Sequence, residues 1–122
     1  MDFTPIARYL FAPRVKASLQ WIQNAEAVQR AQLSWLVNSA RNTLWGEQHN
    51  YGNITSYEEF ASRVPITPYE NIRSLVERMI DGERDILWKG RVTHFAQSSG
   101  TSDGKSKYIP ITADSFKRCH YQ

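Results

Sequence analysis

Residues 98–107 read Ser98-Ser99-Gly100-Thr101-Ser102-Asp103-Gly104-Lys105-Ser106-Lys107, a run of hydroxyls, glycines and two lysines flanked on both sides by strand-forming sequence. Upstream lies Val92-Thr93-His94-Phe95-Ala96 and downstream Tyr108-Ile109-Pro110-Ile111, both short and rich in residues that fit a pleated surface. The expected local structure is strand, loop, strand. Each residue type in the loop has a use toward an anion. Glycine, as at Gly100 and Gly104, lets backbone N–H groups turn inward into a concavity, hydroxyls donate to phosphate oxygens, and lysine brings charge to a polyphosphate. A nucleoside triphosphate is the ligand this chemistry suits, although the same composition also makes a plain surface loop. Gly100 through Ser106 falls one residue short of the Walker A spacing. That motif opens directly into a helix, whereas strand sequence follows here.

Upstream of the loop the texture is helical. Pro5 can open a first helix carrying Ile6, Tyr9 and Leu10, which Pro13 is expected to end or kink at Ala12, with a second segment from Arg14. From Glu26 to Trp45 the pattern predicts one long helix, since Leu33, Leu36, Val37, Ala40 and Leu44 repeat at three- and four-residue spacing and Gly46 stands where a helix usually stops. A second stripe, Val28, Ala31 and Trp35, predicts packing on two sides. Ser56 to Glu59 reads as a capping box, and Thr67-Pro68-Tyr69-Glu70 as another with proline at the first helical position. Ile72, Leu75, Val76, Met79 and Ile80 then share a face, and Asp81-Gly82 ends that helix. Val64-Pro65-Ile66 between the boxes is expected to be extended. After Gly82 the period changes: Ile86-Leu87-Trp88 reads as extended, and Thr112 reads as the N-cap of a helix that has barely begun at Gln122. The expectation is a mainly helical first part followed by a strand, phosphate-loop, strand unit, α+β in class.

Composition sets the bounds. The 122 residues suit one small domain or the front of a larger one, and 41% hydrophobic with four Trp, six Tyr and five Phe is the make-up of a packed protein. A single cysteine, Cys119, cannot form an internal bridge, which favours a reducing, cytoplasmic setting. No run approaches the roughly 20 apolar residues that span a bilayer, so no membrane role is expected. The net charge of +3 is uneven: residues 1–88 hold nine Lys and Arg against ten Asp and Glu, while residues 89–122 hold six against two. The basic excess therefore coincides with the hydroxyl-rich loop, where an anion would sit.

At this point several stretches resemble one family in the same order. Ser98 through Lys107 is similar to the phosphate-loop signature of adenylate-forming enzymes, and the spacing from Gly100 to Lys107 resembles their auxin-responsive Gretchen Hagen branch. Thr43-Leu44-Trp45-Gly46-Glu47-Gln48-His49, Tyr57-Glu58-Glu59-Phe60, Val64-Pro65-Ile66, Tyr69-Glu70-Asn71-Ile72 and Gly82-Glu83 before Ile86-Leu87-Trp88 resemble that branch's N-terminal region. The resemblance implies an ATP- and magnesium-dependent acyl-acid amido synthetase: a carboxylate attacks the α-phosphate of ATP, pyrophosphate leaves, and an amine captures the acyl-adenylate. It assigns Ser98, Ser99, Thr101 and Ser102 to phosphate oxygens, Gly100 and Gly104 to close backbone approach, and Lys107 to catalytic charge, with Lys105 at a variable position. It also implies that residues 1–122 are the N-terminal part of a single, larger α/β adenylating domain cut after the phosphate loop. The acyl pocket, the adenine and magnesium ligands and a mobile C-terminal domain would then follow, and the chain alone would not turn over.

The remaining candidates have plainer readings. His49, His94 and His120 are spaced too widely for a ligand motif, and no metal site is expected. Cys119 and His120, as sequence neighbours, point about 100° apart on a helix and do not pair as nucleophile and base. Trp45 and Trp88 each close an apolar segment and are expected to pack. A second class of function is an interaction module whose basic hairpin binds a partner protein or polyanion without catalysis. Nucleic acid is not expected, since the aromatics are not interleaved with the lysines. Strands at 92–96 and 108–111 with no neighbours would leave bare edges, from which self-association of the chain is expected.

Overall fold

The computed structural model describes residues 2–98 and 106–117. The elements in order are α1 (Thr4–Gln23), α2 (Ala25–Ala40), α3 (Leu44–Gln48), a single 3-10 turn (Tyr51–Asn53), α4 (Tyr57–Arg63), α5 (Tyr69–Ile80), β1 (His94–Ser98), β2 (Lys107–Ile111) and the one-turn α6 (Ala113–Ser115). The α+β class follows: mainly helix, with one two-stranded antiparallel sheet among the described residues. No described helix is long and apolar enough to cross a membrane.

Several elements depart from their local signals. Pro13 lies inside α1 instead of ending it. The ring removes one N–H and crowds the carbonyl of Tyr9, but every neighbouring residue is exposed and water can take the freed carbonyl. The helix expected over Glu26–Trp45 is two. Thr43 turns to extended backbone, its hydroxyl donates to the Ala40 carbonyl at 2.7 Å and accepts from Gly46 N–H at 3.0 Å, and so caps α3 while buried to 1% exposure. Gly46 accordingly lies within α3 rather than past a helix end; a Cβ there would collide with the backbone carbonyl of Ala40. The second stripe of α2 is only partly covered: Val28 and Trp35 are half-buried and Ala31 is exposed.

The caps divide. Ser56 caps α4 by accepting from Glu59 N–H at 3.2 Å, while the Glu59 carboxylate reaches back to Thr55 N–H at 2.7 Å rather than to Ser56. The second box does not form. Pro68 is itself the N-cap of α5, Thr67 donates its hydroxyl back to the Pro65 carbonyl, and Glu70 turns to Arg73. At the other end, Gly82 adopts φ +94, the left-handed conformation that closes α5. Val64 is extended as expected, and Thr112 caps α6 in a reciprocal box with Ser115.

Residues 86–88 are bends, not strand. Their backbone meets a helix end: Leu44 N–H donates to the Asp85 carbonyl at 2.8 Å and Trp45 N–H to the Ile86 carbonyl at 3.0 Å, satisfying donors that α3 leaves open. A core forms on this junction. Met79 of α5 packs with Ile86 and Val92, all nearly inaccessible, and Leu44, Leu75, Leu87 and Phe95 close around them. The hairpin is thereby held over the C-terminal half of α5 through Phe95, and its open end is carried toward the helix's N-terminal half.

Candidate functional site

The site begins with register. Strands β1 and β2 pair His94 with Ile111, Phe95 with Pro110, Ala96 with Ile109, Gln97 with Tyr108 and Ser98 with Lys107. Ser98 and Lys107 therefore face each other across the last rung, at the mouth of the loop. Ser98 Oγ lies 3.5 Å from the Lys107 carbonyl, a long contact that leaves the hydroxyl able to turn toward a better acceptor. Strand continues from Lys107, which removes the Walker A reading, since no helix opens there. Ser99, Gly100, Thr101, Ser102, Gly104 and Lys105, like Cys119 and His120, lie outside the described residues.

Helix α5 supplies what the loop sequence did not announce. Tyr69 and Arg73, one turn apart, face the first residues of β2. The Tyr69 hydroxyl accepts from Tyr108 N–H at 2.8 Å and donates to the Tyr108 carbonyl at 3.1 Å. In an antiparallel strand a residue's N–H and C=O point to the same side, so Tyr108 directs both away from β1 and the phenol stands where a third strand would. The β2 edge expected to be bare is covered at that residue. Arg73 donates to the Ser106 carbonyl at 3.4 Å and forms a two-pronged ion pair with Glu70 at 2.7 and 2.8 Å. Its guanidinium lies 4.9 Å from the centre of the Tyr69 ring, and the Lys107 ammonium 5.9 Å from the same centre, within cation–π range. Among the described residues, Glu70 is engaged by Arg73 and no ion pair forms at the Lys107 ammonium.

At the far end of the hairpin the contacts anchor. Trp88 donates its indole N–H to Asp114 Oδ2 at 3.2 Å, Lys89 lies 3.4 Å from the same oxygen, and Trp88 tilts against Trp35 with ring centres 5.6 Å apart. A cleft of about 350 Å³ opens beside them, bordered by Arg91, His94 and Phe116. A larger hollow of about 670 Å³ lies between α2 and residues 54–60, lined by Leu33, Val37, Ile54 and Phe60 with Glu26 and Arg30 at its rim. His49 donates through Nδ1 to the Arg63 carbonyl at 3.0 Å and lies tilted against Trp45 with ring centres 4.3 Å apart, a structural use of both rings. Neither hollow includes the mouth of the loop.

Against known proteins, the model of the GH3 family N-terminal domain matches residues 14–122, nearly the whole chain. The chain belongs to the GH3 family. Similar curated proteins include a probable indole-3-acetic acid-amido synthetase, GH3.2, of Oryza sativa subsp. japonica, 33% identical over 94 residues that make up 76% of this chain and 15% of the relative. The indole-3-acetic acid-amido synthetases GH3.17 and GH3.6 of Arabidopsis thaliana are 32% and 29% identical, over 78% and 88% of this chain and 16% and 18% of their own lengths. This GH3 chain thus spans less than a fifth of these relatives. The family resemblance carried by the sequence motifs is borne out, and the relatives are ligases by name. Tyr69 and Arg73 were missed as site residues; the one signal for Tyr69 is that Tyr69-Glu70-Asn71-Ile72 is a family-like stretch, and none pointed to Arg73.

Proposed function

We propose that this GH3 chain is the nucleotide-binding front of an ATP-dependent acyl-acid amido synthetase. In that reaction a carboxylate oxygen attacks the α-phosphorus of ATP, the bond to the pyrophosphate breaks, and an amine nitrogen then displaces AMP from the acyl carbon with loss of a proton. The protein's part at the loop is to hold and neutralise the departing pyrophosphate, which is positioning and electrostatics rather than proton transfer. Ser98, Ser99, Thr101 and Ser102 would donate to phosphate oxygens, Gly100 and Gly104 would admit the phosphates to the backbone, and Lys107 would supply charge. The observation that carries this reading is the register that sets Ser98 opposite Lys107 at the mouth of a strand-to-strand loop. That donor set fits a polyphosphate. Among the described residues no group of three His, Cys, Asp or Glu side chains is placed for a metal, so magnesium enters this reading with the nucleotide. The relatives' names specify indole-3-acetic acid; the substrates taken over here are a carboxylic acid and an amine, in a cytoplasmic setting.

The reading includes residues 1–122 as the first part of a larger adenylating domain, unable to turn over alone. Binding of Mg–ATP followed by calorimetry tests the loop: Lys107→Ala should weaken it roughly tenfold or more. An affinity that ignores Lys107, treats inorganic phosphate and Mg–ATP alike and fades steeply with salt would instead establish the polyanion-binding module. Self-association would run through the outer edge of β1, since Tyr69 already occupies that of β2 at Tyr108. A one-chain mass in light scattering at high concentration would refute it.

A further inference from the structure

The hydrogen bonds from α5 to the start of β2 and the residue before it fall on the two residues that bracket Lys107. Arg73 holds the carbonyl of Ser106 and Tyr69 holds both backbone groups of Tyr108, while Lys107 between them sends its ammonium over the Tyr69 ring. A lysine has four rotatable bonds and about 2 kcal/mol of rotamer entropy, so an unheld ammonium is a poor point of reference for a phosphate. Here the backbone on either side is fixed from a helix thirty-odd residues upstream, and the side chain has an aromatic seat. The clamp is itself fixed, because Arg73 is forked onto Glu70 and stacked against Tyr69. Two of its N–H donors are held by Glu70 and a third by the Ser106 carbonyl, which makes Arg73 a brace between α5 and the start of β2.

We propose that Tyr69, braced by Arg73, is a positioning residue for the anion cradle: it sets the backbone on both sides of Lys107 and the seat of its ammonium, and it acts on the pyrophosphate end of a nucleoside triphosphate through Lys107. This rests on the phosphate-loop reading above and adds to it a residue outside the loop. The two parts of the clamp separate by substitution. Tyr69→Phe keeps the aromatic seat and loses both bonds to Tyr108; Tyr69→Leu loses the seat as well; Arg73→Lys keeps the charge and loses the fork.

The test is a double-mutant cycle on the affinity for Mg–ATP and for magnesium pyrophosphate, with amide hydrogen exchange at Tyr108 measured on the same proteins. Tyr69→Phe should weaken both ligands roughly fivefold, Tyr69→Leu further, and Arg73→Lys less than either, with Tyr108 N–H exchanging faster in Tyr69→Phe. In a Lys107→Ala background Tyr69→Phe should have no added effect, because its route to the ligand is gone. Equal losses in both backgrounds would show a general structural role and overturn the inference, as would unchanged affinity in Tyr69→Phe. Wild-type protein whose binding ignores Lys107 would remove the phosphate-loop reading and this proposal with it. The exchange at Tyr108 would still report the clamp, so the two failures are told apart.

Discussion

Helices α1 and α5 both carry many apolar side chains, and they end up in opposite states. In α5, Val76 and Met79 are each 1% exposed, whereas in α1 Ile6, Leu10, Leu19 and Ile22 are 59, 65, 52 and 77% exposed. The difference is arrangement. Along α5 the apolar positions stay on one stripe between polar ones. Along α1 they fall on two sides: Ile6, Tyr9 and Leu10 share one face, while Phe11, Val15, Leu19 and Ile22 lie on the opposite one. No single surface can cover both faces. The end of the first helix expected at Pro13 is not taken, since one helix runs on to Gln23, and the family match begins at residue 14.

The sharpest way to break that contrast is to truncate one side chain in each helix. Met79→Ala should cost about 3 kcal/mol in urea unfolding, since it leaves a cavity beside Ile86 and Val92, while Leu10→Ala should stay within about 0.5 kcal/mol. Equal costs would mean that α1 is packed against something in solution. Thr43→Val sharpens the comparison at a smaller scale. It keeps the shape of a buried side chain but strands the Gly46 N–H and leaves the Ala40 carbonyl only its bond from the residue 43 N–H, for an expected loss of about 1–2 kcal/mol in the same unfolding measurement.

The smallest expected effect is on pH. Hydrogen bonds from Thr55 hold the Glu59 carboxyl below the usual range, and the Arg78 guanidinium does the same for Glu83. A carboxyl lowered in the folded state favours folding above its ordinary value, roughly pH 4.3, and loses that contribution as pH falls through the lowered folded one. Glu83 is exposed and Glu59 half-exposed, so both are screened by salt. Thermal melts should therefore show a slight acid destabilisation that Glu59→Gln reduces; a Glu59→Gln melt with unchanged pH dependence would remove Glu59 as a source.

Much of the fold was legible because its signals are local. The stripe and stop of α5, the caps at Ser56 and Thr112 and the two strands around the loop all follow from residues within a turn or a rung of each other. The failures share a cause. Thr43 looks like an ordinary member of a helical run until its neighbours bury it, and Ile86-Leu87-Trp88 has strand composition but gives the Ile86 carbonyl, next to that of Asp85, to α3. Thr67 has the spacing of a cap, yet α5 starts one residue later with Pro68 as its N-cap, and the Thr67 hydroxyl donates to the Pro65 carbonyl. At the site, Ser98 and Lys107 could be found from the loop itself. Tyr69 and Arg73 could not, because their role depends on a helix and a strand meeting across nearly forty residues, and no spacing rule reaches that far.

The bonds from Leu44 and Trp45 to the carbonyls of Asp85 and Ile86 also impose an order in time. Synthesis delivers α3 long before the segment that completes it, and closing so long a loop is entropically unfavourable until α5 has formed and turned at Gly82. Helix α5 can form from its own contacts, whereas the start of α3 waits for chain made later. The rate-limiting event in folding is then expected to be the return of residues 85–88 onto α2 and α3. Trp88 settling against Trp35 gives that event its own fluorescence change in a stopped-flow trace. A Trp signal complete before the slow phase would place the barrier elsewhere.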